Sequence, residues 1–234
     1  MVERFEFFDI YIDSFDINDL DKIKKGDFIV TLNLEHLENC KKDPDFIEDL
    51  QKADWIIADG ISIIWLFRNL YKGSKLRNKI IKIPGIDLAK KLIDRSKKIA
   101  FLGSEEKIIQ KIAKIFSKKQ VFFRNGFFKT QEEEKIVDDI KNSQADLLLV
   151  ALGCPKQEKF IAKHKKTLEN TIQIGVGGSF DIWSGELKRA PKFLQKLNLE
   201  WAFRLLQEPK RIFRFFNNVH SFVFFYVSSL FDEG

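Results

Sequence analysis

Six short apolar runs, each followed by a stretch with helical spacing, constrain this chain more than any other feature. The runs lie at 27–31, 55–58, 98–102, 121–124, 147–152 and 171–176. Helical patterns fill most of the gaps, at 43–52, 62–72, 86–96, 105–118, 131–142 and 156–168. Such alternation predicts a Rossmann-like α/β fold: a mostly parallel sheet flanked by helices and wound by right-handed crossovers. The unbroken run Leu147-Leu148-Leu149-Val150-Ala151-Leu152 suits a strand covered on both faces. Residues 5–16 read as an N-terminal β-hairpin. After Gly178 no further strand is evident, and 188–234 reads as helices only. The chain therefore divides into an α/β core, 1–187, and a helical C-terminal appendage, 188–234.

The sharpest turn follows the fifth run. Gly153 allows an abrupt change of direction, and Pro155 is preset for a first helical turn. A helix N-terminus beyond the carboxyl end of a strand is where open α/β sheets bind anionic ligands, and Gln157 and Glu158 stand there. An ordinary strand-to-helix turn is the plainer alternative. Other strand ends carry comparable groups: Thr31-Leu32-Asn33, Ala58-Asp59-Gly60, Gly103-Ser104, Arg124-Asn125-Gly126-Phe127 and Gly175-Val176-Gly177-Gly178. Together they predict a common crevice that includes Gly103, Asn125 and Gly153. No G-x-G-x-x-G follows a strand, and no G-x-x-x-x-G-K-[ST] loop is present, which disfavours a dinucleotide dehydrogenase and a P-loop ATPase.

Asp59 follows the apolar segment Trp55-Ile56-Ile57-Ala58, so partial desolvation would raise its basicity towards that of a general base. The competing reading makes it the cap of the helix beginning near Ile61. Asp43-Pro44-Asp45 has the D-x-D form that holds a cation in some sugar transferases, but its place before a polar helix favours capping. His36, His164 and His220 are scattered, without metal-ligand spacing, and His164 reads as a surface residue of a lysine-rich helix. Cys154 has no sequence-level partner for nucleophilic work and reads as a small residue in a tight turn. With only Cys40 and Cys154, far apart, the chain suits a reducing cytoplasm; its first residues show no signal-peptide pattern.

Charge is uneven. Net charge is +6, and 188–234 holds eight Lys/Arg against four Asp/Glu. Such an excess points to an anionic partner. Arg204, Arg211 and Arg214 recur at spacings that share one face of a continuous helix, which Pro209 would bend. Guanidinium groups fork onto phosphate. The aromatic stretch beyond them, rich in phenylalanine, suits an interfacial helix docked on an anionic membrane surface, or one docked on the core or another subunit. No run reaches the 18 apolar residues of a conventional span.

Thr31-Leu32-Asn33, Ala58-Asp59-Gly60, Gly153-Cys154-Pro155-Lys156-Gln157-Glu158 and Gly175-Val176-Gly177-Gly178, with Pro84-Gly85-Ile86-Asp87-Leu88, Arg189-Ala190-Pro191 and the segment from Leu199 to Arg211, resemble the WecG/TagA/CpsF glycosyltransferases in order from about Asp9 to Phe216. The resemblance implies transfer of a sugar, such as N-acetylmannosamine, from UDP to polyprenyl-diphosphate-linked N-acetylglucosamine, in teichoic acid or other cell-surface polysaccharide synthesis. It implies that Asp59 deprotonates the acceptor hydroxyl in an inverting displacement. Thr31, Asn33 and Gln157 would hold donor sugar or acceptor, and Phe127 would lie near uracil. Arg204, Arg211 and Arg214 would close over the diphosphates. No cofactor and no metal is expected, arginine charge serving instead. The family arginine before Pro84 is replaced by Lys82, with Arg77 as an alternative. The implied location is cytoplasmic, peripheral on the inner face of the cytoplasmic membrane; homo-oligomer formation is left open. A non-catalytic nucleotide-sugar-binding membrane adapter is the alternative from another class. A nucleic-acid partner is not expected, because no RNA-binding motif accompanies the basic aromatic tail.

Overall fold

A computed structural model describes residues 2–231, apart from the side chains of Arg211, Arg214, Phe215 and Phe231. An antiparallel hairpin of β1 (Arg4–Phe7) and β2 (Ile10–Asp13) comes first. The core then runs β3 (Phe28–Leu32), α1 (Leu34–Lys42), α2 (Asp45–Gln51), β4 (Trp55–Ala58), α3 (Ile61–Leu70), α4 (Gly85–Arg95), β5 (Ile99–Gly103), α5 (Glu106–Ile115) and β6 (Gln120–Arg124). It continues through α6 (Thr130–Asn142), β7 (Leu147–Ala151), α7 (Lys156–His164), β8 (Ile172–Gly175) and α8 (Ser179–Trp183). The last elements are α9 (Lys192–Lys196), α10 (Glu200–Gln207) and α11 (Ile212–Phe231).

The six predicted strands form one parallel sheet in the order β4-β3-β8-β7-β5-β6. Successive residues of a strand point to opposite faces, and both faces are covered here. Val30, Leu102 and Val150 join one apolar layer with Phe46, Ile63 and Ile161 from the helices. Ile29, Phe101 and Leu149 join the other with Leu92, Ile109 and Phe180. Double coverage explains the unbroken apolar runs of β3, β5 and β7, whereas the edge strand β6 leaves Val121 and Phe123 exposed.

Two adjacent strands send the chain in opposite directions: β5 leads outward to β6, whereas β7 leads back to β8. Such a divergence opens a crevice at the carboxyl ends of the strands. The close approach needed there explains Gly103. Its φ is +123°, and a Cβ would lie 2.4 Å from the carbonyl of Ala151.

Three expectations need correction. Helix α1 was not anticipated; Asn33 caps it, accepting a hydrogen bond from the Glu35 N–H at 2.9 Å. His164 is buried rather than superficial, packed on Phe160 with Nε2 2.7 Å from Glu133 Oε1. The continuous arginine helix is broken: α10 stops at Gln207, and Glu208 (φ −126°, ψ 73°) and a single 3-10 turn, Pro209–Arg211, precede α11. Arg204, Arg211 and Arg214 thus sit on three different elements. Proline lacks the N–H and the neighbour geometry needed to continue a helix.

The appendage packs on the core. Arg189 forks onto Asp87 at 2.6 and 2.7 Å, and Lys82 Nζ donates to Asn198 Oδ1 at 2.5 Å. Helix α11 lies along α3, where Asn69 Nδ2 donates to Ser229 Oγ at 2.6 Å and Phe225 meets Phe8 of the hairpin. Its other side is exposed: Phe213, Phe216, Val223 and Leu230 face solvent, as do Leu206 of α10 and Trp65 of α3. Among the described residues no helix is long and apolar enough to cross a membrane.

Candidate active site

The strand ends open into a cavity of about 1000 Å³, walled by core and appendage together. Its lining includes Thr31, Asn33, Asp59, Lys82, Phe127, Gly153, Gln157 and Arg204. Eight predicted site residues are thereby brought together from positions across 174 residues of sequence, Thr31 to Arg204. Two lie elsewhere. Gly103 supports the floor from behind, against Ala151. Asn125 faces a separate small cleft, where its amide donates to Glu106 and its Oδ1 accepts from the Phe127 N–H at 3.0 Å. Its work is to hold the turn that presents Phe127, which is 76% exposed. The side chains of Arg211 and Arg214 lie outside the described residues.

Asp59 stands at the carboxyl end of β4, only partly exposed. It does not cap α3, whose N-cap is Gly60, without a side-chain bond. Instead Oδ1 accepts from the Gly85 N–H at the start of α4, at 2.8 Å. Gly85 is needed for that approach, since a Cβ there would lie 2.9 Å from Thr31 Oγ1. Burial raises the carboxyl to about 6, outweighing the opposing bond from Gly85 and the nearby charges of His36 and Lys82. A carboxyl so poised takes up a proton readily near neutral pH.

Opposite Asp59, Gln157 and Glu158 open α7 as expected. Gln157 Nε2 donates to Glu158 Oε1 at 2.6 Å, and its Oε1 accepts from the Gly177 N–H at 3.1 Å. Glu158 Oε1 lies 3.2 Å from Nε2 of His36, both side chains being buried. Burial opposes a charged imidazole, but the Glu158 carboxylate more than offsets it and raises His36 above its ordinary value. Sequence reasoning could not pair two residues 122 apart.

Arg204 reaches across to α8. Its Nη2 is buried without a hydrogen-bond partner, 4.0 Å from Asp181 Oδ2. Gly178 makes the room: a Cβ there would sit 1.9 Å from that nitrogen. Arg189 and Lys188 also line the cavity. Of the two substitutes for the absent arginine, Lys82 lines the cavity, whereas Arg77 lies in a 3-10 turn away from it.

Among the described residues one group has metal-ligand chemistry: His36 Nε2, Cys154 Sγ and a Glu158 oxygen lie within 4.8 Å of one another. The imidazole and carboxylate already bond each other, and Glu158 also accepts from Gln157. Burial, and then the Glu158 charge, push the Cys154 thiol far above its ordinary value, so it is no thiolate nucleophile. Asp43, the other metal candidate, does not line the cavity; it pairs with Lys159 at 2.5 Å, and its carboxyl also accepts from the backbone of Asp45 at the start of α2, whose N-cap is Pro44.

Comparison with known proteins agrees with this architecture. The model of the Glycosyl transferase WecG/TagA/CpsF family matches residues 5–233. A Bacillus spizizenii protein, N-acetylglucosaminyldiphosphoundecaprenol N-acetyl-beta-D-mannosaminyltransferase, is 35% identical over 80% of this chain and 74% of its own length. A protein of the same name from Bacillus subtilis is 33% identical over the same shares. The chain belongs to the WecG/TagA/CpsF glycosyltransferase family.

Proposed function

We propose that this family member transfers N-acetylmannosamine from UDP to N-acetylglucosaminyl-diphosphoundecaprenol, with Asp59 as general base. The observation that carries the assignment of the base is a part-buried carboxyl, raised to about 6, on the wall of a cavity of about 1000 Å³ at the strand ends. The names of the two relatives supply acceptor and sugar.

With Oδ1 held by the Gly85 N–H, Oδ2 takes the proton of the acceptor hydroxyl. The acceptor's oxygen bonds to the anomeric carbon as the bond to the UDP oxygen breaks, and the electron pair leaves on the diphosphate. A single displacement inverts configuration, so an α-linked UDP donor would give the β-linkage named for the relatives. The departing diphosphate gathers negative charge where Arg204 Nη2 is buried without a hydrogen-bond acceptor and where Lys82 and Arg189 stand nearby. Fixed positive charge aimed at the site stabilises such a leaving group without a metal ion. Phe127 offers an exposed ring for the uracil face, and Thr31, Asn33 and Gln157 offer polar atoms for the sugars.

A lipid-linked acceptor requires approach to a bilayer. The exposed side chains of Trp65, Leu206, Phe213 and Phe216, beside the basic appendage, support a peripheral position on an anionic membrane surface, at the cytoplasmic face where nucleotide sugars are available. The purified protein is to be given synthetic lipid-linked N-acetylglucosamine and a panel of UDP-sugars. Transfer from UDP-N-acetylmannosamine is expected; UDP binding with no transfer from any donor would instead describe a non-catalytic adapter.

A further inference from the structure

We infer that His36 and Glu158 are positioning residues: a buried relay that fixes the orientation of the Gln157 amide and holds Asn33 by its backbone N–H, and so decides which polar atoms the cleft presents. The relay joins three neighbouring strands of the sheet. Asn33 follows β3, Gln157 and Glu158 follow β7, and Gly177 follows β8, which lies between them.

Each link has a defined sense. A carboxylate only accepts hydrogen bonds, so the His36 nitrogen facing Glu158, Nε2, carries a proton. The same Glu158 oxygen receives Gln157 Nε2 at 2.6 Å, while Gln157 Oε1 receives the Gly177 N–H at 3.1 Å. Rotating the Gln157 amide by half a turn would set its oxygen against the carboxylate and its NH2 against a backbone donor. Both contacts would be repulsive, so one orientation is selected. At the other end, His36 Nδ1 accepts from the Asn33 backbone N–H at 3.2 Å, while Asn33 Oδ1 receives the Glu35 N–H at 2.9 Å. The oxygen is thereby engaged by α1, and Asn33 has its Nδ2 protons to offer. It recognises an oxygen acceptor, such as an acetamido carbonyl or a sugar hydroxyl, and not a donor.

The end of β8 is built around this relay. A Cβ on Gly175 would lie 2.5 Å from Gln157 Nε2 and 2.9 Å from Glu158 Oε1. An alanine would therefore displace both side chains at once. Glu158 does not line the cavity and acts through the Gln157 amide, and His36 acts through the Asn33 backbone.

The functional arm of the test rests on the proposed transfer reaction. Glu158→Met keeps side-chain bulk and removes the acceptor, whereas Glu158→Gln retains an oxygen for His36 and Gln157. Loss of a hydrogen bond to a charged group predicts that Glu158→Met lowers kcat/KM about tenfold, while Glu158→Gln stays within about threefold of wild type. Introduced into Gln157→Ala, Glu158→Met should cost less than about twofold, because the residue it acts through is gone. An equal loss in both backgrounds, or equal damage by Met and Gln, would overturn the relay. A second readout needs no activity. In the wild-type protein the Gln157 side-chain amide protons should exchange slowly with solvent and give two separated resonances that collapse towards free-glutamine values in Glu158→Met. Free-glutamine exchange in the wild type would refute the relay even if transfer occurs. Protected amides in a protein that transfers no sugar would leave the relay standing and remove the transfer reading.

Discussion

Replacing Asp59 by Asn should stabilise the protein while removing most of its turnover. The asparagine retains an oxygen for the Gly85 N–H, so the bond that ties β4 to α4 survives. What it removes is a negative charge held in a poorly solvated site. The carboxyl moves from an ordinary value near 3.8 to about 6 on folding. That displacement corresponds to about 3 kcal/mol against the ionised folded form. Water in the open cavity screens part of it, leaving about 1–2 kcal/mol. The sign follows from proton uptake. Between pH 3.8 and about 6 the folded carboxyl binds more protons than the unfolded one, so wild-type stability falls as pH rises through this window. Above about 6 both states are ionised and the penalty is complete. Asp59→Asn should therefore match the wild type near pH 4 and exceed its Tm by about 3–6 °C at pH 8, for a chain of this size. Thermal unfolding followed by circular dichroism at both pH values measures the difference. Turnover should fall by about 10²–10⁴, the usual contribution of a general base. A variant less stable than wild type at pH 8 would show that the carboxylate is a structural strut, and the electrostatic reasoning would be wrong.

Other perturbations address the rest of the cleft. Gly178→Ala would place a methyl 1.9 Å from Arg204 Nη2, forcing the guanidinium aside; UDP affinity should drop about tenfold, with Tm little changed, as calorimetry and thermal unfolding would report. Treatment with EDTA should leave the rate of transfer unchanged, because Arg204, Lys82 and Arg189 supply the charge; a rate restored only by added Mg²⁺ would contradict this. Phe213→Ser with Phe216→Ser, both exposed positions on α11, should weaken sedimentation with anionic vesicles by about tenfold or more, while UDP binding in solution stays as in the wild type.

The sheet was legible in the sequence because burial on both faces leaves little room for polar residues in β3, β5 and β7; all six runs became strands, the edge strand β6 with Val121 and Phe123 exposed. Helix α1 was not. Its sequence, Leu34-Glu35-His36-Leu37-Glu38-Asn39-Cys40-Lys41-Lys42, is mostly polar, and its start is set by an asparagine that also drew attention as a site residue. Lysines around His164 suggested a solvated face, yet the ring turns inward between Phe160 and Glu133, a partner 31 residues away. Glycines at strand ends correctly marked a crevice, but their reasons differ. Gly175 and Gly178 make room for Gln157 and Arg204, as Gly85, at the start of α4, does for Thr31. Such clearances depend on which strands are neighbours, which no local pattern records. For the same reason Asn125, at a strand end like the others, was grouped with a cavity it does not line.

The pH dependence of kcat/KM tests most directly whether the carboxyl at the end of β4 accepts the proton. With Asp59 raised to about 6, the rate should be level at alkaline pH and fall about tenfold per pH unit below about 6. A profile that stays level from pH 7 down to pH 5 would contradict the account.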